Sequence, residues 1–178
     1  RRNEFSGPID VLAIREAIVA FTKVCAENNL PFYFGGHPAI TPLVYRVASQ
    51  YTENKPLIKI YQSLYFEGQT PKEVEFFDNI CWTKKVNDDM LASVEAMRNQ
   101  MFTENHTDCA VFIGGMKGII DEANKIMKIH PLVKILPVAS TGGASFDLYR
   151  MMKLSDVELL KSPAYVSLFR EKLDFLIR

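Results

Sequence analysis

The chain has 178 residues, 48% hydrophobic and 24% charged, which is the balance of an ordinary globular protein and excludes disordered, fibrous and membrane-embedded classes. Lys plus Arg and Asp plus Glu each number 21, so no net field draws the chain to a nucleic-acid backbone or to an anionic membrane. Three cysteines, Cys25, Cys81 and Cys109, stand far apart in apolar surroundings without the paired spacing that holds zinc, and read as buried free thiols. One hydrophobic core is expected at this length. No apolar run approaches the roughly 20 residues that span a bilayer, and no basic-then-apolar signal segment stands at the start, so a cytoplasmic location is expected. The opening Arg1-Arg2-Asn3 lacks a Met and reads as the start of an ordered part, or of a fragment, of something longer.

Ile14, Ala17, Ile18, Phe21, Val24 and Cys25 recur at helical spacing and predict a helix over 9–28, ended by Asn28-Asn29. Phe32-Tyr33-Phe34 is a short buried strand that stops at a glycine pair. Leu43, Val44, Val47, Ala48 and Tyr51 mark a second helix, Leu57 to Tyr61 the next strand, and Gln62 to Glu73 an irregular stretch with Gly68 and Pro71. Ile80-Cys81-Trp82 is a weaker strand, followed by a helix through Met90, Val94, Met97 and Met101, whose methionines read as core. Cys109 to Ile113 has the continuous apolar run of a strand between two helical layers, and ends at Gly114-Gly115. A helix through Ile119, Ala123 and Ile126 follows, then a strand from Val133 to Val138, a break at Ser140-Thr141-Gly142-Gly143 and a short helix to about Tyr149. Residues 151–164 read as a connection to a last amphipathic helix through Val166, Phe169, Leu173 and Leu176, an apolar face suited to a dimer or interdomain contact.

Strands alternating with helices and no tight-hairpin signal predict a Rossmann-like, doubly wound α/β fold. Its mainly parallel sheet has about five or more strands flanked by helices. Residues 1–150 are expected to form one α/β domain, which the resemblance described below makes a nucleotide-binding one, and 151–178 a C-terminal helical extension.

In an open parallel sheet, ligands lie beyond the carboxyl ends of the strands. Three such ends are unusual here: Gly35-Gly36-His37 running on to Thr41, Gly114-Gly115-Met116-Lys117-Gly118, and Ser140-Thr141-Gly142-Gly143. Glycines there permit positive φ and close approach of a ligand, and the helix behind each offers N–H groups to a phosphate or carboxylate. Each turn alone has an equally good geometric explanation; three in one sheet point to a ligand site. Neither G-x-G-x-x-G nor the Gly-Lys-Ser/Thr order of a P-loop is present, which sets aside NAD dehydrogenases and P-loop ATPases. His37 can donate to a phosphate or ribose, or cap its own loop through a backbone carbonyl. Glu122 can reach a ribose hydroxyl or act as acid or base, or can be a solvated carboxylate beside Asp121 that the helix dipole favours. Arg15 is either a phosphate partner or a surface charge. His37, His106 and His130 are scattered along the sequence and give no metal site, and no cofactor is called for.

The strings Phe34-Gly35-Gly36-His37-Pro38-Ala39-Ile40-Thr41-Pro42-Leu43, Phe112 to Gly118 with Glu122, and Pro137 to Ala144 resemble the SLOG superfamily, Rossmann-like domains that include the LOG cytokinin-activating enzymes and DprA. The first and third strings resemble a bacterial subgroup associated with TIR domains and nucleotide-signal defence. Its domains commonly open with a strand ahead of the first helix, which would fall before Arg1. The LOG pattern P-G-G-x-G-T-x-x-E is met at Gly114, Gly115, Gly118 and Glu122; Ile113 replaces its Pro, Ile119 its Thr, and one residue is inserted before Gly118. The resemblance therefore implies a ribose-phosphate pocket more than LOG-type catalysis.

Two functions follow. One is a sensor of an ADP-ribose-like or cyclic nucleotide signal that switches a TIR or other effector, or a homo-oligomer. The other is an N-glycosidase or phosphoribohydrolase in which Glu122 is catalytic.

Overall fold

The computed structural model describes residues 8–51 and 57–177; Arg1-Arg2-Asn3 and any strand ahead of them lie outside the described residues. Twelve helices and strands succeed one another in the order α1 (Val11–Glu27), β1 (Phe32–Gly35), α2 (Thr41–Ala48), β2 (Ile58–Ser63), β3 (Ile80–Thr83), α3 (Met90–Glu104), β4 (Cys109–Ile113), α4 (Gly118–Ile129), β5 (Lys134–Val138), α5 (Gly143–Met151), α6 (Val157–Lys161) and α7 (Tyr165–Leu173). The chain divides into two compact units: Thr22–Asn105 forms one, while the segment before Thr22 and His106–Leu176 form the other.

In the Thr22–Asn105 unit, β1, β2 and β3 make a parallel sheet with β2 at its centre. The end of α1 is set by Asn29, whose φ of 53° places it in the left-handed region, while the Leu30 N–H reaches back to the Cys25 carbonyl at 2.9 Å. β2 is buried along nearly its whole length, as the central strand of a covered sheet must be. α3 begins where the Asp89 carboxylate accepts the Ala92 N–H at 3.0 Å, and it sets Met97 and Met101 into the core. Met90, at its exposed first turn, lies outside that core. The irregular stretch after β2 holds two 3₁₀ turns, Leu64–Phe66 and Lys72–Phe76, and the Phe76 ring stacks on Tyr45 of α2 at 5.1 Å.

The other unit is built on the parallel pair β4–β5, in register from Cys109 opposite Lys134 to Ile113 opposite Val138. β5 is buried over four of its five residues, whereas in β4 only Phe112 is fully buried. Asp10 caps α1, its carboxylate accepting the Ala13 N–H at 2.9 Å. The apolar side of α7 is consumed inside its own unit, where Leu168, Phe169 and Leu173 are buried and the Phe169 ring meets Phe21 edge-on at 5.4 Å. The connecting stretch 151–164 is not wholly irregular: Asp156 caps the short helix α6, accepting the Glu158 and Leu159 N–H groups at 3.0 and 3.3 Å.

The expected α/β architecture of parallel strands flanked by helices is present, and every strand ladder is parallel. The strand count per sheet differs from expectation. Among the described residues, five strands form sheets of three and two, not one sheet of five or more. An apolar run identifies a strand, but which edges pair depends on register and tertiary placement that such runs do not encode.

Candidate functional site

After β4 the chain turns through Gly114 and Gly115, with φ of 58° and 83°, a left-handed pair that only glycine adopts without strain. Ile14 of α1 closes over the first and Ile119 of α4 over the second, each so near that a Cβ would collide with it. The turn is fastened from β5. The Gly114 N–H donates to Thr141 Oγ1 at 2.8 Å, and the same hydroxyl donates to the Val138 carbonyl at 2.6 Å. The Gly114 carbonyl accepts from the Ser145 N–H at 3.0 Å and the Ser145 hydroxyl at 2.9 Å, while the Gly115 carbonyl accepts the Ala144 N–H at 3.1 Å. Thr141 and Ser145 are fully buried.

This fastening sorts the two glycine loops of the unit into different roles. The N–H groups that open α5, on Ala144 and Ser145, are occupied by the carbonyls of Gly114 and Gly115. Gly142, at φ 74°, admits the chain's own Pro8 carbonyl, where a Cβ would collide. Gly143 faces the Gly115 carbonyl, 2.7 Å from where its Cβ would stand. Ser140 lies within 3.4 Å of the Tyr165 hydroxyl. The 140–145 loop is therefore the support of the 114–118 turn.

What stays open is the head of α4. The N–H groups of Gly115, Met116, Lys117 and Gly118 have no hydrogen-bond partner among the described residues, and Met116 and Lys117 are exposed. Converging N–H groups at the positive end of a helix dipole form a site for an anion. Lys117 adds a cation with no ion-pair partner among the described residues. Arg15 directly follows Ile14, the residue that covers Gly114; it is exposed and likewise lacks an ion-pair partner among the described residues. Glu122 lies four residues into α4, half-buried and engaged in an interaction of its own.

Gly35, Gly36, His37 and Thr41 belong to the Thr22–Asn105 unit. Neither glycine there has positive φ. The turn is self-contained: the His37 carbonyl accepts the Ile40 and Thr41 N–H groups at 3.0 and 2.9 Å, and the His37 N–H donates to the buried Thr41 hydroxyl at 3.1 Å. His37 Nδ1 accepts the Ala39 N–H at 3.1 Å, and the ring is exposed, with Nε2 as the nitrogen that can donate.

Ser145, at the end of the third glycine string, carries no site role in the sequence reading, and Gln62, expected to open an irregular stretch, instead continues the Ile58, Ile60 alternation inside β2. Two histidines far apart in sequence meet in space: the His106 and His130 rings lie 6.1 Å apart, with His106 Nε2 3.1 Å from Asp108. Among the described residues they do not complete a group of three metal-ligating side chains. A shallow groove of about 240 Å³, lined by Glu16, Ala20 and residues 163–167, includes no glycine-turn residue. Burial pushes the Cys109 thiol up to about 12. No helix among the described residues is long and apolar enough to cross a membrane.

Parallel strands flanked by helices, with a glycine turn opening N–H groups at a helix head, define a Rossmann-like α/β protein. A sequence model of the SLOG cluster3 family matches residues 4–173, and the chain belongs to that family. No curated protein and no solved structure matches it.

Proposed function

We propose that this protein senses a nucleotide-derived signal, an ADP-ribose-like molecule or a cyclic nucleotide, in a bacterial defence or signalling system. The phosphate is held by the N–H groups of Gly115 to Gly118 and the Lys117 ammonium, and binding regulates a linked effector, such as a TIR domain, or a homo-oligomer in the cytoplasm. The observation that carries the reading is the set of four N–H groups at the head of α4, beside Lys117, that have no partner among the described residues. Membership of the SLOG family supports a nucleotide-related ligand.

The same turn favours holding over cutting. Gly118 begins a helix whose first turn carries Ile119, Ile120 and the exposed Asp121, and Glu122, the residue that the LOG pattern would make catalytic, is half-buried and engaged in an interaction of its own. Titration calorimetry against ADP-ribose, its cyclic isomers and 3′,5′-cyclic nucleotides, with each mixture assayed for free base, tests the assignment. Saturable binding with the ligand recovered intact is expected. Release of free base, abolished by Glu122→Gln, would reassign the protein to N-glycosidases.

A further inference from the structure

β3 is an outer strand of the three-stranded sheet, paired on one side only, with β2, among the described residues. The Ile60 N–H donates to the Asn79 carbonyl at 2.9 Å. In a parallel ladder this turns the backbone groups of Asn79, Cys81 and Thr83 towards β2, and those of Ile80 and Trp82 away from the sheet. The N–H and C=O groups of Ile80 and Trp82 have no further hydrogen-bond partner among the described residues. Natural edge strands are ordinarily blunted by a charge, a proline or a bulge. β3 has none of these over Ile80–Thr83, its register with β2 is unbroken, and Trp82 is 41% exposed.

Charges stand at the two ends of this edge instead. Asp78 lies three residues before Cys81, and Lys84 three residues after it. Lys85 is paired with Asp88 at 2.6 Å, whereas Lys84 has no ion-pair partner among the described residues. Directly opposite residues of an antiparallel pair share a face, so a two-fold seam between identical strands must be centred on one residue. Centred on Cys81, it sets Asp78 opposite Lys84, Asn79 opposite Thr83 and Ile80 opposite Trp82. Opposite charges meet, polar meets polar and apolar meets apolar. Centring on Ile80 would set Trp82 against Asp78, and centring on Trp82 would set Ile80 against Lys84. One register of the three is complementary throughout.

We propose that the β3 edge docks a second copy of this chain, antiparallel about Cys81. The outward groups of Ile80 and Trp82 then exchange both N–H···O bonds with Trp82 and Ile80 of the second copy. The exposed indole covers a β-branched side chain across the seam, and an ion pair closes each end. The seam lies in the Thr22–Asn105 unit, whereas the head of α4 belongs to the other. It also differs from α7, whose apolar side is buried in its own unit. A seam of one short strand is small, which fits a dimer of about micromolar affinity.

The test is sedimentation velocity on the full chain from about 1 to 200 µM, without nucleotide, with circular dichroism and melting temperature checking the fold of each variant. Wild type is expected to pass from monomer to dimer in that range. Trp82→Lys, which installs the charge natural edges use, should stay monomeric at an unchanged melting temperature. Lys84→Asp and Asp78→Lys should each loosen the dimer about tenfold, since the two-fold axis repeats the like-charge pair, and the double reversal should restore it. A wild type that is monomeric throughout, a Trp82→Lys variant that dimerises as wild type does, or a double reversal no tighter than the single ones overturns the proposal. If Asp78→Lys does not fold, Trp82→Lys and Lys84→Asp decide, and a Lys84→Asp dimer as tight as wild type overturns it. Failure of the nucleotide-sensing reading leaves every one of these outcomes standing.

Discussion

Thr141 illustrates how one side chain does the work of a turn. Its hydroxyl donates to the Val138 carbonyl and accepts the Gly114 N–H, so the ends of two paired strands are tied through one buried oxygen. Thr141→Val keeps the shape and removes both bonds, leaving a buried N–H and carbonyl unsatisfied; it should cost about 2–3 kcal/mol of stability in urea unfolding. A change below about 0.5 kcal/mol would show that the tie is not made. Cys109 is a second test at this scale. With burial holding its thiol near 12, it should react with a thiol-specific reagent at pH 8 far more slowly in the folded than in the unfolded protein. The glycines were legible as special positions, but sequence could not distinguish a glycine needed by a ligand from one needed by the chain itself. Gly142 proves to make room for the Pro8 carbonyl and Gly36 for the Gln62 amide, contacts made by residues distant in sequence.

At the level of elements, strong periodicity and continuous apolar runs located the structure well. β4 occupies Cys109–Ile113 as its composition requires, and α1 ends within a residue of the Asn28-Asn29 signal. α6 escaped because five residues make little more than one helical turn, too short for a 3.6-residue period to show. Its signature was the cap, Asp156, and that cap carries a pH prediction. Burial alone would raise the Asp156 carboxyl, but its bond to Lys172 at 2.7 Å and the Leu159 N–H outweigh that and hold it below the ordinary 3.8. A carboxyl depressed in the folded state adds stability above its unfolded value, which is lost as the pH falls through the folded one. Asp156→Asn keeps a capping oxygen and removes the ion pair. Wild type should therefore exceed the variant by about 1 kcal/mol at pH 7, with the gap closing below pH 3.8 in thermal melts across pH. A gap that persists unchanged below that pH would place the effect elsewhere.

For the molecule as a whole, composition and alternation yielded the α/β class, and three quoted strings pointed to the SLOG superfamily, whose cluster3 family spans residues 4–173. The division into two units was not legible, because no Pro-, Gly- or Ser-rich linker marks it and α1 runs through the boundary as an uninterrupted helix. For the same reason the three glycine loops, alike in sequence, are distributed between units and differ in what they do. The head of α4 leaves the N–H groups of Gly115 to Gly118 without a partner among the described residues, and the central claim is that these groups hold the phosphate of a nucleotide signal. Lys117 is exposed at the start of α4, where a negative charge suits the helix dipole, so its charge can be reversed with the fold retained. The most direct measurement is titration calorimetry of wild type and Lys117→Glu with ADP-ribose and 3′,5′-cyclic nucleotides. The account predicts saturable binding by wild type and a loss of about tenfold or more in the variant at unchanged melting temperature. Equal affinity of the two proteins, or no binding by either, would contradict it.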